Sequence, residues 1–515
     1  MTFEEQAASM SRADVAALLA EFAELKQQLE WFKRQIFGPR SERRVVSPEA
    51  RQLWLGEMEA DGTPSSASET TVSEHKRRVN LRKAEPDEES IRFDDSVPVE
   101  TVVIPNIEIP AEEIDQYMEV SEKVTTRLAQ RPGAYVVLRI VRRTLKRKSD
   151  GKFSCPPAPI SVLEKSPVDV TFLAGLLIDK VVYHLPLYRQ HQRLAANGIH
   201  LARSTLTNYF HRTAELLEPV YHAQFGSILK SEVLAMDETP IKAGRKKGKP
   251  PNRGRMRTGY FWPIYGDRDE VAFPFAPTRS HAVVRELLQE YSGTLVSDGY
   301  AAYDRYAEAM SDVVHAQCWV HVRRRFVEAE AMEPKLSGEA LDQIGALYEL
   351  EEEAKKLPSP EKVLAHRREH SRPVVEAFFE AIARATEEGV LLPSNPYTKA
   401  ASYAAEREAA LRVFLDQPGV PLDTNHVERE LRSVAIGRKN WMFCTTEVGA
   451  KYLGYVRTLL STCRLQGVDP FTYLVDVLQR VQYHPAKRVS ELIPRLWKER
   501  FAAAPYQSML EKATR

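Results

Sequence analysis

Residues 231–239 read SEVLAMDET, and four stretches follow closely: GYFWPIYGD (259–267), EVAFPFAPT (270–278), SHAVVRELLQEY (280–291) and GTLVSDGY (293–300). Four of the five are short apolar, β-branched or aromatic runs bounded by Gly, Pro or Asp, which predicts strands, whereas 280–291 carries its apolar residues at helical spacing. Three hairpin-like strands, a helix and a further strand outline an α/β sheet. Two of the strands end in an acid, Asp237 and Asp298. Ligands collect at the carboxyl ends of strands in open α/β sheets, so these are the first candidates for chemistry.

Toward the C-terminus, the strand DVVHAQ (312–317) leads into CWVHVRRRF (318–326), and residues 331–419 are almost wholly helical in pattern. Next comes PLDTNHVERELRSVAIGRKNWMF (421–443), where Asn425, Glu428 and Arg432 stand at i, i+3 and i+7 and share one helix face. Glu430 points ~200° away from Glu428 and reads as a surface acid whose removal costs little. Three carboxylates from separate elements can hold two hard divalent cations through oxygen ligands. Two such ions ~3.5–4 Å apart would activate a water or 3′-hydroxyl and stabilise the leaving oxygen of a phosphodiester. Taken singly, Asp237 and Asp298 read equally well as turn or cap acids, and Glu428 as a surface helix residue. Cys318 and His321 have ligand-like spacing but supply only half a zinc site, so a buried Cys and a hydrogen-bonded His is the competing reading. Trp319 is a candidate to stack on an unpaired base, against a role in the core. Arg323, Arg324, Arg325, Arg432, Arg438 and Lys439 are candidate phosphate contacts, against plain surface charge.

Toward the N-terminus, Leu187–Ala196 reads as a helix closed by Asn197-Gly198, and Ser204 as the N-cap of a second helix running to about Leu217. Helix, short turn, helix is the outline of a helix-turn-helix, with Arg203, Thr205, Thr207, Asn208 and His211 near the start of the recognition helix. Residues 100–160 alternate β-branched runs with Pro and Gly, predicting a small β-unit. From Arg40 to about residue 100 the chain is polar without period, a linker. Val15, Leu18, Phe22, Leu25, Leu29, Phe32 and Ile36 repeat at alternating 3 and 4 spacing, a heptad seam that predicts a short self-associating coiled coil or an amphipathic helix docked on its own chain.

The chain has 515 residues, 43% hydrophobic and 28% charged, which excludes a single small module and global disorder. Its net charge of +1 hides segregation: residues 85–119 hold 12 acids and one base, Arg139–Lys152 seven bases and one acid, and 244–257 seven bases and no acid. That last run, with Arg245, Lys246, Lys247, Lys249, Arg253, Arg255 and Arg257, reads as a flexible loop for polyanion backbone. Cys155, Cys318, Cys444 and Cys463 are too few for a disulfide framework, and the first residues are acidic where a secretory leader is basic. With no apolar run approaching ~20 residues, the expectation is a cytoplasmic, nucleoid-associated protein without membrane contact.

MDET, SDGYAAYD, CWVHVRRRF and above all PLDTNHVERELRSVAIGRKNWMF resemble the motifs of bacterial insertion-sequence 66 family transposases, of the Asp-Asp-Glu class. QIFGPRSERR, VVYHLPLYRQHQRLAANGIHLARSTL and LQGVDPFTYLVDVLQRV extend the resemblance over almost the whole chain. It implies a multidomain α/β plus α protein: a ribonuclease-H-like catalytic core with a helical insertion, preceded by a coiled-coil helix, a small β-unit and a helix-turn-helix. The expected segments are 1–44 (coiled coil), 45–99 (linker), 100–160 (β-unit), 161–227 (helix-turn-helix), 228–330 (first core part), 331–419 (insertion), 420–445 (second core part) and 446–515 (C-terminal helices). It further implies that Asp237, Asp298 and Glu428 form a triad binding two Mg²⁺ ions, for which Mn²⁺ can substitute. The substrate implied is double-stranded DNA, both terminal inverted repeats and target, cut and joined by a self-associated transposase, with accessory proteins of the same element as further partners. Family members usually carry a cysteine-rich zinc module before the helix-turn-helix. Here that region offers only Cys155, so no zinc is expected. The rival readings are a catalytically idle DNA-binding regulator and a ribonuclease-H-like nuclease without joining activity.

Overall fold

The computed structural model describes residues 91–131, 133–164, 166–246, 254–387 and 391–513. The heptad seam and most of the linker lie outside them. The chain divides into two compact units: a larger one of Glu85–His321, Leu347–Val375 and Arg407–Arg515, and a smaller one whose described parts are Val322–Ala346 and Glu376–Glu406.

In the larger unit, β1 (Val233–Met236), β2 (Ile264–Gly266), β3 (Glu270–Ala272), β4 (Gly293–Ser297) and β5 (Val313–Gln317) form one sheet in the order β3-β2-β1-β4-β5. β2 runs antiparallel to both its neighbours, while β1, β4 and β5 are parallel to one another. The central strands are apolar on both faces: on one, Leu234, Met236 and Leu295 pack with Val284 and Leu288 of the helix His281–Leu288 and Tyr303 of the helix Ala301–Ala309, and on the other Ala235 and Val296 are also buried. The edge at β3 is closed by the helix Glu447–Leu465. The Phe273 amide donates to Thr458 Oγ1 (2.9 Å) and the Val271 amide to Thr462 Oγ1 (3.3 Å), which satisfies edge groups that would otherwise template aggregation. Gly454 permits this approach, since a Cβ there would lie 2.4 Å from the Phe273 carbonyl oxygen.

Thr239–Arg245 and Met256–Phe261 pair antiparallel, with the register reaching Arg245 opposite Met256. Arg245, Met256 and Arg257 of the basic run are therefore strand residues, so the run expected to be a loop throughout is in part β-hairpin. Lys247, Lys249 and Arg253, where the flexible-loop expectation chiefly falls, lie outside the described residues. Toward the N-terminus, Tyr117–Arg131 and Ala134–Arg147 form a long antiparallel pair flanked by Val99–Ile104 and Phe153–Ser154. Helices Leu187–Ala196 and Arg203–Leu216 follow, joined through Gly198 at φ 74°. The second helix is capped at Ala202, not at Ser204, and no side chain caps it. Both sit in an apolar core continuous with the C-terminal helices, in which Leu194, Leu206 and Phe210 belong with Leu453, Leu459, Tyr473 and Leu478.

Between 334 and 412 the described residues form the helices Pro334–Ala354, Pro360–His366, Arg372–Glu387, Pro396–Ala405 and Glu408–Arg412, with the π-turn Arg367–Ser371 between the second and third. In the smaller unit Phe326 meets Phe378 and Tyr397 edge-on at 5.7 and 5.5 Å. Among the described residues no helix is long and apolar enough to cross a membrane.

Candidate active site

Asp237 and Asp298 are the first residues beyond the carboxyl ends of β1 and β4, which are adjacent and parallel. Their register pairs Val296 with Ala235, and continued by two residues it sets Asp298 beside Asp237. Both acids are locally fixed: Asp237 Oδ1 accepts from the Glu238 amide (2.7 Å) and Asp298 Oδ1 from the Tyr300 amide (3.0 Å). The β4 end is braced by a chain in which Ser297 Oγ lies 2.8 Å from His315 Nε2, and His315 Nδ1 lies 3.1 Å from Asp304.

Glu428 lies in the first turn of the helix Asn425–Trp441, which is anchored at both ends. At the N-terminal end the Leu422 carbonyl accepts from the Trp319 amide (3.1 Å), and the Thr424 amide and hydroxyl both donate to Cys318 Sγ (3.3 Å). The Cys318 amide in turn donates to the Ser297 carbonyl (3.1 Å), so the CWVH segment ties the Glu428 helix to the Asp298 strand. At the other end Arg438 donates to Thr239 Oγ1 (3.1 Å) and the Pro240 carbonyl (2.9 Å), just beyond Asp237, and the Cys444 amide donates to the Lys242 carbonyl (2.8 Å). Val427, Glu430, Val434, Gly437 and Trp441 form the buried face, leaving Glu428 half-buried with His321 Nε2 3.8 Å from its carboxylate.

Asp237 senses the other two carboxylates. Burial pushes Asp237 up to about 7, and the negative charges of Glu238, Asp298 and Glu428 add to the rise. Glu238 is committed elsewhere: it pairs with Arg279 and accepts from Tyr303 Oη (2.7 Å). Among the described residues no group of three or more His, Cys, Asp or Glu side chains is gathered closely enough to hold a metal ion. Charge, not ligand geometry, is thus what joins Asp237, Asp298 and Glu428 here.

A raised carboxyl pKa means that the folded state holds a proton the unfolded chain has released, so stability falls as pH rises from about 4 through 7. Asp237→Asn removes that slope. In metal-free buffer it is expected to melt several degrees above wild type at pH 8 and near it at pH 4. Parallel melting curves at both pH values would refute the electrostatic account.

The structure separates the other candidates. Arg203 is exposed beside Tyr188 (5.0 Å to the ring centroid) and Asn208 is exposed, whereas Thr205 is buried and cannot reach a base. Thr207 is half-buried and its hydroxyl donates back to the Arg203 carbonyl (3.0 Å). His211 is half-buried against Phe210 and Tyr452. Trp319 is wholly buried, with Nε1 donating to the Leu411 carbonyl (3.0 Å) and the ring edge-on to Phe414, so it offers no face to a base. Arg245, Lys246 and Arg255 are exposed near the hairpin end, while Arg257 pairs with Glu447 (2.9 Å). Arg323, Arg324 and Arg325 are exposed on the helix Trp319–Ala329, with Arg325 against Tyr403 at 5.2 Å. Arg432 and Lys439 are exposed; Arg438 is taken up by the protein. Glu430 is 2% exposed and paired with Arg464, so it is no surface acid. Its partner lies 34 residues away, beyond any local pattern.

Residues 165–452 match the family model for the transposase IS66 family, 458–495 match the IS66 C-terminal element, and 24–102 match the model described as transposase C of IS166 homeodomain. The chain belongs to the IS66 transposase family. Two relatives of this transposase in Sinorhizobium fredii (strain NBRC 101917 / NGR234) bear the descriptions uncharacterized protein y4hP and y4jD. The first is 30% identical over 93% of this chain and 89% of its own. The second is 27% identical over 94% and 96%. Among solved structures, the Drosophila P element transposase strand transfer complex covers 60% of this chain and 94% of that one at 13% identity and a TM-score of 0.29, too slight a likeness to bear on the fold.

Proposed function

We propose that this IS66-family transposase cuts and joins DNA with divalent metal held by Asp237, Asp298 and Glu428. The observation that carries the reading is the delivery of Asp237 and Asp298 by adjacent parallel strand ends, with Glu428 brought within their electrostatic reach by a helix anchored to both. The sheet order β3-β2-β1-β4-β5 with β2 alone reversed supports a ribonuclease-H-like core.

The donor set suits hard cations, being oxygen-only, with Asp237 resisting ionisation because it is buried and flanked by negative charge. When bound, Mg²⁺ or Mn²⁺ would supply charge to the phosphodiester oxygens and acidify the attacking water or 3′-hydroxyl. The chain's own groups do the positioning. Tyr300 and Glu238 amides orient the two aspartates, Arg279 and Tyr303 hold Glu238 aside, and Cys318, Thr424 and Arg438 fix the Glu428 helix. The exposed hairpin bases would grip backbone phosphates, and the exposed Arg203 and Asn208 would read a groove. Joining would proceed in a self-associated form, with the heptad-patterned segment from Val15 to Ile36 as the self-associating element.

The test incubates the full chain with duplex bearing the element's own ends and Mg²⁺. Nicked and joined products that vanish with EDTA are expected; metal-independent products, or cutting that never yields joined strands, would overturn the reading. Changing Arg245, Lys246 and Arg255 to Gln should weaken binding about equally for all sequences, lowering the salt slope by roughly 0.9 for each phosphate no longer neutralised. Weakening confined to end-sequence DNA would make the hairpin a reader of bases.

A further inference from the structure

A cavity of 1210 Å³ lies in the larger unit, walled by the turn Val182–Leu185, the helix Asn425–Trp441 and the helix Glu447–Leu465. It is separate from the carboxylate ends of the sheet but shares a helix with them: Arg432 lines it one turn beyond Glu428, about 6 Å along the axis. Its wall holds five arginines, Arg193, Arg429, Arg432, Arg457 and Arg464, against two acids, Asp179 and Asp469. Both acids are engaged locally, Asp179 with Arg193 and Asp469 as the N-cap that accepts from the Thr472 amide (2.8 Å). Arg464 is neutralised by Glu430.

Three cations remain under-compensated. Arg457 is 5% exposed and bonds only neutral groups among the described residues, Ser433 Oγ (2.5 Å) and the Val181 carbonyl (2.6 Å). Burial lowers its pKa to about 10, and the negative charge of Glu430, already paired with Arg464, offsets that only in part. Arg429 and Arg432 are exposed and make no ion pair with a described carboxylate. On the same wall Tyr183 is an aromatic ring left 71% exposed. His184 beside it is held at φ 56°, and its buried Nδ1 has no hydrogen-bond partner among the described residues.

Unpaired positive charge beside an exposed ring, inside a recess, suits a phosphate attached to a planar base. Duplex DNA is too wide to enter a recess of this volume, whereas an unpaired nucleotide fits the size range of small-molecule sites. We propose that this cavity takes an unpaired nucleotide of the DNA strand engaged at Asp237, Asp298 and Glu428, its phosphate facing Arg429, Arg432 and Arg457 and its base against Tyr183. The proposal rests on the DNA-processing reading above. A free nucleotide has the same recognition chemistry, and the test separates the two sources.

The full chain, in EDTA so that nothing is cut, is titrated with a duplex that is blunt or carries a three-nucleotide 3′ overhang containing 2-aminopurine. The overhang is expected to bind about tenfold more tightly than the blunt end and its fluorescence to be quenched on binding, as stacking on aromatic rings does. Tyr183→Ala and Arg429→Ala, both at exposed positions, should each remove the preference and the quenching while melting temperature and blunt-end affinity stay put. Equal affinity for both ends, or variants that weaken both equally, would overturn the cavity assignment while leaving the transposase reading intact. No binding of either duplex would instead sink that underlying reading. Displacement of the overhang by deoxyadenosine monophosphate at comparable concentration would keep the nucleotide site and assign it to a free nucleotide.

Discussion

Glu428→Gln is expected to reduce cleavage and joining of end DNA by roughly a thousandfold or more while leaving end binding and melting temperature within error. The carboxylate is half-buried, with His321 Nε2 3.8 Å away. Glu430→Gln should do the reverse. Glu430 is buried, receives the Arg464 guanidinium, and is the anion that supports the buried Arg457. Removing its charge leaves Arg464 without its partner and the buried Arg457 without its supporting anion, at a cost of about 1–3 kcal/mol, since Arg464 is 58% exposed and can turn to water. The folded fraction of Glu430→Gln should still join DNA at wild-type specific activity. Strand-transfer assays and melting curves on the same preparations distinguish the pair. Normal joining by Glu428→Gln would remove its catalytic assignment, and an unchanged melt for Glu430→Gln would mean that the Arg464 pair carries no stability.

The contrast between these neighbours shows what a sequence can and cannot disclose. Asp237 and Asp298 are legible because apolar runs ending in an acid mark the carboxyl end of a buried strand, and the strands lie where those runs predict. That Glu428 and Glu430 occupy different sides of a helix follows from 3.6 residues per turn. Which side is buried does not follow, because the deciding partner, Arg464, arrives from another helix. The same holds for Arg438, which looks like a surface base yet spans to Thr239 and Pro240, and for Trp319, whose indole finds the Leu411 carbonyl. Ser204 is a favourable cap residue, but the helix begins at Arg203. The basic run lies between two predicted strands and so reads as a loop, while the pairing of Arg245 with Met256 carries those strands further into it than their apolar residues mark. Motifs thus point to the chemistry, and long-range polar contacts, which have no local signature, decide how it is held.

Arg367 is the strongest example of such a contact, and its replacement carries the second large effect. It sits at the start of the π-turn Arg367–Ser371, a break in helical pitch that often marks a constrained position. All its nitrogens are engaged: Nε and one terminal nitrogen grip Glu351 in a fork (2.8 and 2.7 Å), and the terminal nitrogens also reach the carbonyls of Phe414 (2.6 Å), Gln417 (2.9 Å) and Val420 (3.1 Å). Arg367 and Glu351 are 4% and 6% exposed. Those carbonyls belong to the segment that runs into Leu422 and Thr424, where the Glu428 helix is pinned. Arg367→Met strands the Glu351 charge and three carbonyls in the interior, an expected loss of about 3–5 kcal/mol. Hydrogen exchange should quicken from Phe414 to Glu428, and joining should fall more than the folded fraction does. Glu351→Met combined with Arg367→Met removes the stranded charge and should recover much of the melting temperature. It cannot restore the three carbonyl bonds, so exchange in 414–428 should stay fast and joining low. If the double variant recovers joining along with stability, Arg367 serves only the fold. If it recovers stability alone, the guanidinium is what holds the Glu428 helix against the two aspartate strands.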